Sequence, residues 1–147
     1  MNYEINCGTL AILPKGNDSL IYEDESTFVV NQTPFKIMED GCKYFGSSYE
    51  GRKEGAKSIL GSEYKLPIIV EDRLNLVVFP TTSPSSDDCI WLFLNRIKNF
   101  TRAENNCSKI IFDNGVTIDV PVSFRSLENQ VSKSSRLDLI MRNRKIK

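Results

Sequence analysis

The 147-residue sequence contains no histidine. That absence removes the commonest general base and metal ligand, and with it any Ser-His or Cys-His catalytic pair. Net charge is also lacking: 19 Lys plus Arg stand against 19 Asp plus Glu, so no global field marks a nucleic-acid or membrane partner. No window approaches the run of about 18 apolar residues that spans a membrane. The first residues show neither the basic start nor the apolar stretch of a signal peptide, which predicts a cytoplasmic protein. Cysteines are few. Cys7, Cys42, Cys89 and Cys107 are too far apart to form a zinc knuckle, so free reduced thiols are expected, with no structural metal and no cofactor. What remains, 40% hydrophobic and 26% charged residues, suits one globular domain over residues 1–147.

The pattern along the chain predicts an α+β fold, mostly antiparallel sheet. Residues 3–13 alternate polar and apolar, and Pro14, Gly16, Asn17 and Asp18 then break the run. Residues 20–22, 27–30 and 35–38 continue as short strands of a meander. Ser47, with Glu50 three residues on, forms a capping box and starts a middle helix over about 47–60, closed by Gly61. On it Tyr49, Arg52, Ala56, Ile59 and Leu60 share a face. Gly51 and Gly55, four apart, suggest one face pressed against backbone, either the protein's or a ligand's. Strands follow at 67–70, 74–79 and 89–97, the last two around a Pro/Ser-rich loop. Residues 109–112 and 116–122 flank Asn114-Gly115, which suits a type I′ hairpin turn. From Ser123 the pattern is helical, giving one or two C-terminal helices over about 124–145 with a break near Ser134 and Ser135.

The neutral total conceals segregation. Residues 125–147 carry Arg125, Lys133, Arg136, Arg142, Arg144, Lys145 and Lys147 against Glu128 and Asp138, so this tail is +5 and the rest −5. A second basic group, Arg52, Lys53 and Lys57, lies on the middle helix, with Lys43 before it. Both groups suit phosphates, and both also suit plain solvated helix faces.

One long run, Cys42-Lys-Tyr-Phe-Gly-Ser-Ser-Tyr-Glu-Gly-Arg-Lys-Glu-Gly-Ala-Lys-Ser-Ile-Leu-Gly61, followed by Tyr64-Lys65 and Pro67-Ile68, resembles the bacterial competence transcription factor ComK family. Tyr3-Glu-Ile-Asn6, Phe79-Pro-Thr-Thr-Ser-Pro84, Cys89-Ile-Trp91, Asn114-Gly115 and Asn129-Gln130 extend the resemblance over nearly the whole chain. It implies a DNA-binding activator of genes for DNA uptake and recombination, acting as a homo-oligomer on paired A/T-rich boxes of double-stranded DNA. RNA polymerase is then a further partner, the nucleoid the place of action, and no enzyme activity follows. Longer family members carry a C-terminal degradation signal read by a protease adaptor, and this sequence stops at Lys147, so adaptor-driven turnover is not expected of it. A second, weaker likeness covers Asn95-Arg96-Ile97, residues 109–112, Asn114-Gly115 and 123–130, which resemble LytTR-type DNA-binding domains. It implies DNA contact at Asn95, Arg96, Ser123 and Arg125.

Candidate DNA-binding residues are therefore Lys43, Arg52, Lys53, Lys57, Asn95, Arg96, Ser123, Arg125, Lys133 and Arg136. A/T-rich tracts suit such cations, because their narrow minor groove concentrates negative potential. Two other classes compete. One is a cytosolic β-rich protein–protein interaction module without DNA binding. The other, an enzyme with Cys42 or Cys89 as nucleophile, lacks a histidine to activate the thiol.

Overall fold

In the computed structural model, which describes residues 2–146, three antiparallel strands open the chain: β1 (Thr9–Lys15), β2 (Asp18–Glu23) and β3 (Thr27–Val30). Residues 3–6, expected as strand, lie outside the sheet. Two helices follow, α1 (Pro34–Tyr44) and α2 (Tyr49–Leu60), then β4 (Ile68–Glu71), β5 (Leu76–Pro80) and β6 (Trp91–Phe93). A 3₁₀ turn at Leu94–Arg96 leads to β7 (Ile97–Arg102), β8 (Ser108–Phe112) and β9 (Thr117–Val120), and α3 (Phe124–Ile146) ends the fold. The large sheet has the order β3-β2-β1-β6-β5-β4 and the small one β7-β8-β9, with every paired neighbour antiparallel. No helix among the described residues is long and apolar enough to cross a membrane.

Period-two alternation builds the core on both faces of the large sheet. Ile12, Val78, Trp91 and Phe93 point to one side, where Ile37, Met38 and Cys42 of α1 and Tyr49 of α2 cover them. Ala11, Phe79 and Leu92 point to the other, against Ile110, Phe112, Ile118 and Val120 of the small sheet and Leu127 of α3. A third cluster joins Ala56 and Leu60 of α2 to Val77 of β5 and Leu137 of α3. Trp91 is fully buried, its ring edge-on to Tyr49 at 6.3 Å between centroids.

Several local expectations are corrected. The 35–38 segment is helical because Thr33 caps it, its side chain accepting from the Lys36 amide, and Pro34 occupies the first turn. Ile37, Met38, Gly41 and Cys42 then form its buried stripe. Ser48, not Ser47, caps α2, accepting from the Gly51 amide at 3.0 Å, whereas Gly61 closes it in the left-handed conformation as expected. Gly51 and Gly55 are both exposed, and a Cβ at Gly55 would meet nothing within 4 Å. The close approach is at Gly41, where a Cβ would lie 2.7 Å from Ile5 Cδ1. The hairpin at Asn114-Gly115 forms, yet among its turn residues only Gly115 has positive φ (92°). Its bonds, Gly115 amide to Phe112 carbonyl and Phe112 amide to Val116 carbonyl, make a three-residue loop with glycine in the left-handed place instead of a type I′ turn. The 89–97 run is not one strand, because Leu94–Arg96 turns it from the large sheet to the small. The C-terminal segment is one helix, uninterrupted at Ser134, whose hydroxyl bonds the Gln130 carbonyl within the helix.

Candidate nucleic-acid interface

The ten candidate residues fall into three groups. Ser123 and Arg125 open α3. The Ser123 hydroxyl accepts from the Ser126 amide at 3.1 Å and its carbonyl from the Leu127 amide, so Ser123 is the helix cap. Arg125 stands exposed on the first turn, beside Phe124, over whose ring the Arg102 guanidinium lies at 4.7 Å. At helical spacing Arg125, Asn129, Ser132 and Arg136 share one exposed stripe of α3. Neither Arg125 nor Arg136 makes an ion pair among the described residues. Further along, Arg142 pairs with Asp138 and bonds Asn75, and Lys145 pairs with Asp72. These contacts tie the end of the helix to the β4–β5 turn. Lys147, counted in the basic tail, lies outside the described residues.

The second group surrounds the segment between α2 and β4. Lys53 lines a cleft of about 650 Å³ together with Glu50, Glu63, Tyr64, Lys65 and residues 83–87 of the Pro/Ser loop. Lys57 pairs with Glu63 at 2.7 Å. Lys133 reaches across from α3 and donates to the Tyr64 carbonyl at 2.6 Å. Burial, and then the nearby Lys65 charge, hold the Lys133 ammonium below its ordinary pKa. Arg52 lies on the inner side of α2, half-buried, with its Nε enclosed and without a hydrogen-bond partner among the described residues. Its charge pulls the pKa of both the buried Cys42 thiol and the buried Glu71 carboxyl downward. Burial still carries Cys42 up to about 11. At Glu71 burial also pushes upward, and the bonds and charge from Arg73, with Arg52 behind them, carry the carboxyl below its usual range. Lys43 is exposed at the end of α1.

Asn95 and Arg96 form the third group, in the 3₁₀ turn. Asn95 is exposed beside a small cavity of about 300 Å³ that Leu74 and Asn75 also line. Arg96 is fully engaged. Its Nε donates to both Asp113 carboxylate oxygens at 3.1 Å, its Nη2 to Asp24 and Asp113, and its Nη1 to the Cys7 carbonyl at 2.9 Å. Asn114 adds a bond to the Asp24 carbonyl at 3.1 Å. The guanidinium thus fastens the β2–β3 turn of the large sheet to the β8–β9 turn of the small one. Asp24, Glu25 and Asp113 make this end acidic.

Ser123 and Arg125 sit at the opposite end of the small sheet. There Arg102 pairs with Ser108, and the Ser108 hydroxyl donates to the Val122 carbonyl. The six residues of β7 separate the two ends by about 20 Å. The structure therefore does not gather Asn95 and Arg96 with Ser123 and Arg125. It does gather Lys53, Lys57 and Lys133 around the Tyr64–Lys65 segment, and Arg136 follows Lys133 at the next turn of α3.

Two residues outside the candidate list organise this surface. Gln130 is buried and its Nε2 donates to the Lys65 carbonyl at 3.0 Å and the Pro80 carbonyl at 2.8 Å. A polar residue within the Leu127, Val131, Ser134, Leu137 stripe was its sequence signal. Arg102 had none, because its ring partner lies 22 positions away.

The fold is an antiparallel α+β arrangement of two sheets and three helices, with Arg125 and Arg136 unpaired, among the described residues, on the exposed stripe of α3. A profile of the ComK protein matches residues 1–146. The competence transcription factor of Bacillus subtilis (strain 168) is 36% identical over 140 residues, covering 92% of this chain and 73% of that protein. No solved structure matches the chain. The chain belongs to the ComK family.

Proposed function

We infer that this protein is a transcription factor that activates competence genes, with the whole chain acting as one DNA-binding unit. The observation that carries this is 36% identity to a competence transcription factor along 92% of the chain. The DNA itself is read as double-stranded and A/T-rich, in paired boxes. Support comes from the exposed stripe of α3. Arg125 and Arg136 are eleven residues apart, about 16 Å along the axis, with Asn129 and Ser132 between them. That span is comparable to a DNA groove about 12 Å wide with its flanking phosphates. The Ser123-capped helix N-terminus adds a favourable field for a phosphate beside Arg125.

A protein without net charge gains affinity for DNA by presenting two copies, so a homo-oligomer on paired boxes fits the charge balance. Recruitment of RNA polymerase, a nucleoid location in the cytoplasm and the absence of catalysis belong to the same reading. Burial of Cys42 and Cys89, both with thiols pushed up, argues against thiol chemistry. Gel shifts on duplexes carrying two A/T-rich boxes at stepped spacing test the proposal. Affinity should peak at separations differing by about 10.5 base pairs, one helical turn, and fall with salt. Equal binding to G/C-rich duplexes, or none to any duplex, would refute it.

A further inference from the structure

The outer strands of the two sheets are β3, β4, β7 and β9, and three of them are closed to further pairing. β4 is buried along its whole length. β7 carries Lys98 and Arg102 and has an irregularity between Ile97 and Asn99, while β9 holds the exposed Asp119. Charges and bulges of this kind keep an edge from adding another strand. β3 has neither. Its residues, Thr27-Phe-Val-Val30, include no charge and no proline, and its register with β2 is unbroken.

The pairing with β2 fixes which backbone groups of β3 face outward. The Glu23 amide donates to the Ser26 carbonyl at 2.9 Å, so Ser26 turns its polar groups toward β2. By alternation Phe28 and Val30 do the same, whereas Thr27 and Val29 turn their amides and carbonyls away from the sheet. Phe28 and Val30 pack on the core. Thr27 and Val29 are exposed, Val29 by 44%, next to its half-buried cross-strand neighbour Leu20. The occupant of such an edge is an extended strand, because its backbone groups match this row of donors and acceptors.

We propose that β3 pairs with β3 of a second copy, antiparallel about a two-fold axis at Phe28, so that two large sheets join into one. Thr27 then faces Val29 of the second copy, and the two exchange both backbone bonds. The occupant is a second copy because the edge complements itself. Outward Thr27 and Val29 meet their own counterparts, and the acidic Asp24-Glu25 before β3 lies opposite the uncharged Asn31-Gln32 after it. A pairing this short buries less than the roughly 800 Å² per partner of a stable dimer, so the dimer is weak and two boxes on one duplex favour it. This rests on the homo-oligomer reading above and names its contact surface.

Sedimentation equilibrium of the protein alone, at concentrations rising into the millimolar range, compares the wild type with Val29→Lys and Val29→Glu, each singly and both mixed in equal amounts. The side chain at 29 is on the solvent side, and thermal unfolding confirms that each variant is folded. The wild type should associate reversibly. Each variant alone should associate about fivefold more weakly or worse, since position 29 lies diagonal to its own counterpart and like charges there repel. The mixture should recover most of that loss, because opposite charges then meet. A mixture that recovers nothing would overturn the pairing of β3 with itself. Association of both variants at wild-type strength would also overturn it, leaving the homo-oligomer reading in place with its surface elsewhere. A wild type that stays monomeric throughout takes both down, while the affinity for A/T-rich duplexes is read separately by the gel shifts.

Discussion

Replacing Arg96 with alanine removes a guanidinium that serves two carboxylates and a carbonyl on three separate loops. Asp24 and Asp113 are 41% and 48% exposed, so solvent screening limits each pair to about 0.5–1 kcal/mol. The bond to the Cys7 carbonyl adds about 1 kcal/mol. A total of about 2 kcal/mol lowers Tm by about 4–8 °C in a chain of this size. The pH dependence carries a sign. Hydrogen bonds from Arg96 hold the Asp113 carboxyl below its unfolded value of 3.8, so this stability is present above that value and lost as pH falls through the folded pKa. The gap between wild type and Arg96→Ala should therefore be full at neutral pH and narrow below about pH 4, where the bond to the Cys7 carbonyl still holds about 1 kcal/mol of it. Urea unfolding at several pH values measures it. DNA affinity, assayed where both proteins are folded, should change by no more than about twofold. Undiminished stability with lost DNA binding would refute the structural reading and return Arg96 to the interface.

Gly55→Ala should stabilise the protein by about 0.5–1 kcal/mol, since the site is open helix, whereas Gly61→Ala, at φ of 69°, should destabilise it by about 1 kcal/mol; thermal unfolding checks both. Gln130→Leu leaves the Lys65 and Pro80 carbonyls unpaired and should cost about 1–3 kcal/mol, with faster proteolytic nicking at residues 61–66 as a second readout. In thiol labelling Cys7 should react at once, while Cys42 and Cys89 should react only on unfolding. Cys42 labelling as fast as Cys7 would contradict the packing between α1 and the sheet.

How much was legible follows from the range of each signal. The Gly61 stop of α2, the hairpin at Gly115 and the start of α3 at Ser123 rest on residues within a few positions, and each expectation held. The α1 segment misled because Phe35, Ile37 and Met38 suit a strand by type; its real signal was Thr33-Pro34, a cap followed by proline. Residues 89–94 are uniformly apolar, so the strand pattern reads on past Phe93, and Asn95-Arg96 is the local mark of the turn that sends the chain to a second sheet. At the candidate site the same limit applies more strongly. Arg96 owes its place to Cys7, Asp24 and Asp113, and Lys133 to Tyr64, partners that lie 17 to 89 positions away. Charge counting identified those cations but could not tell an engaged one from a free one.

The most direct test of the account is a salt titration of A/T-rich duplex binding by the wild type, Arg125→Ala, Arg136→Ala and the chain truncated after Met141. The wild type should bind with affinity falling steeply with salt, and each arginine variant should lower the slope by about one if the side chain holds a phosphate. If Arg125 reads a base edge, its loss costs about 1–3 kcal/mol on the A/T-rich duplex alone. Truncation should cost little, because Arg142 and Lys145 are engaged with Asp138, Asn75 and Asp72. Normal binding by both arginine variants, with binding abolished in a truncated chain that remains folded, would contradict the account and move the interface to the far end of α3.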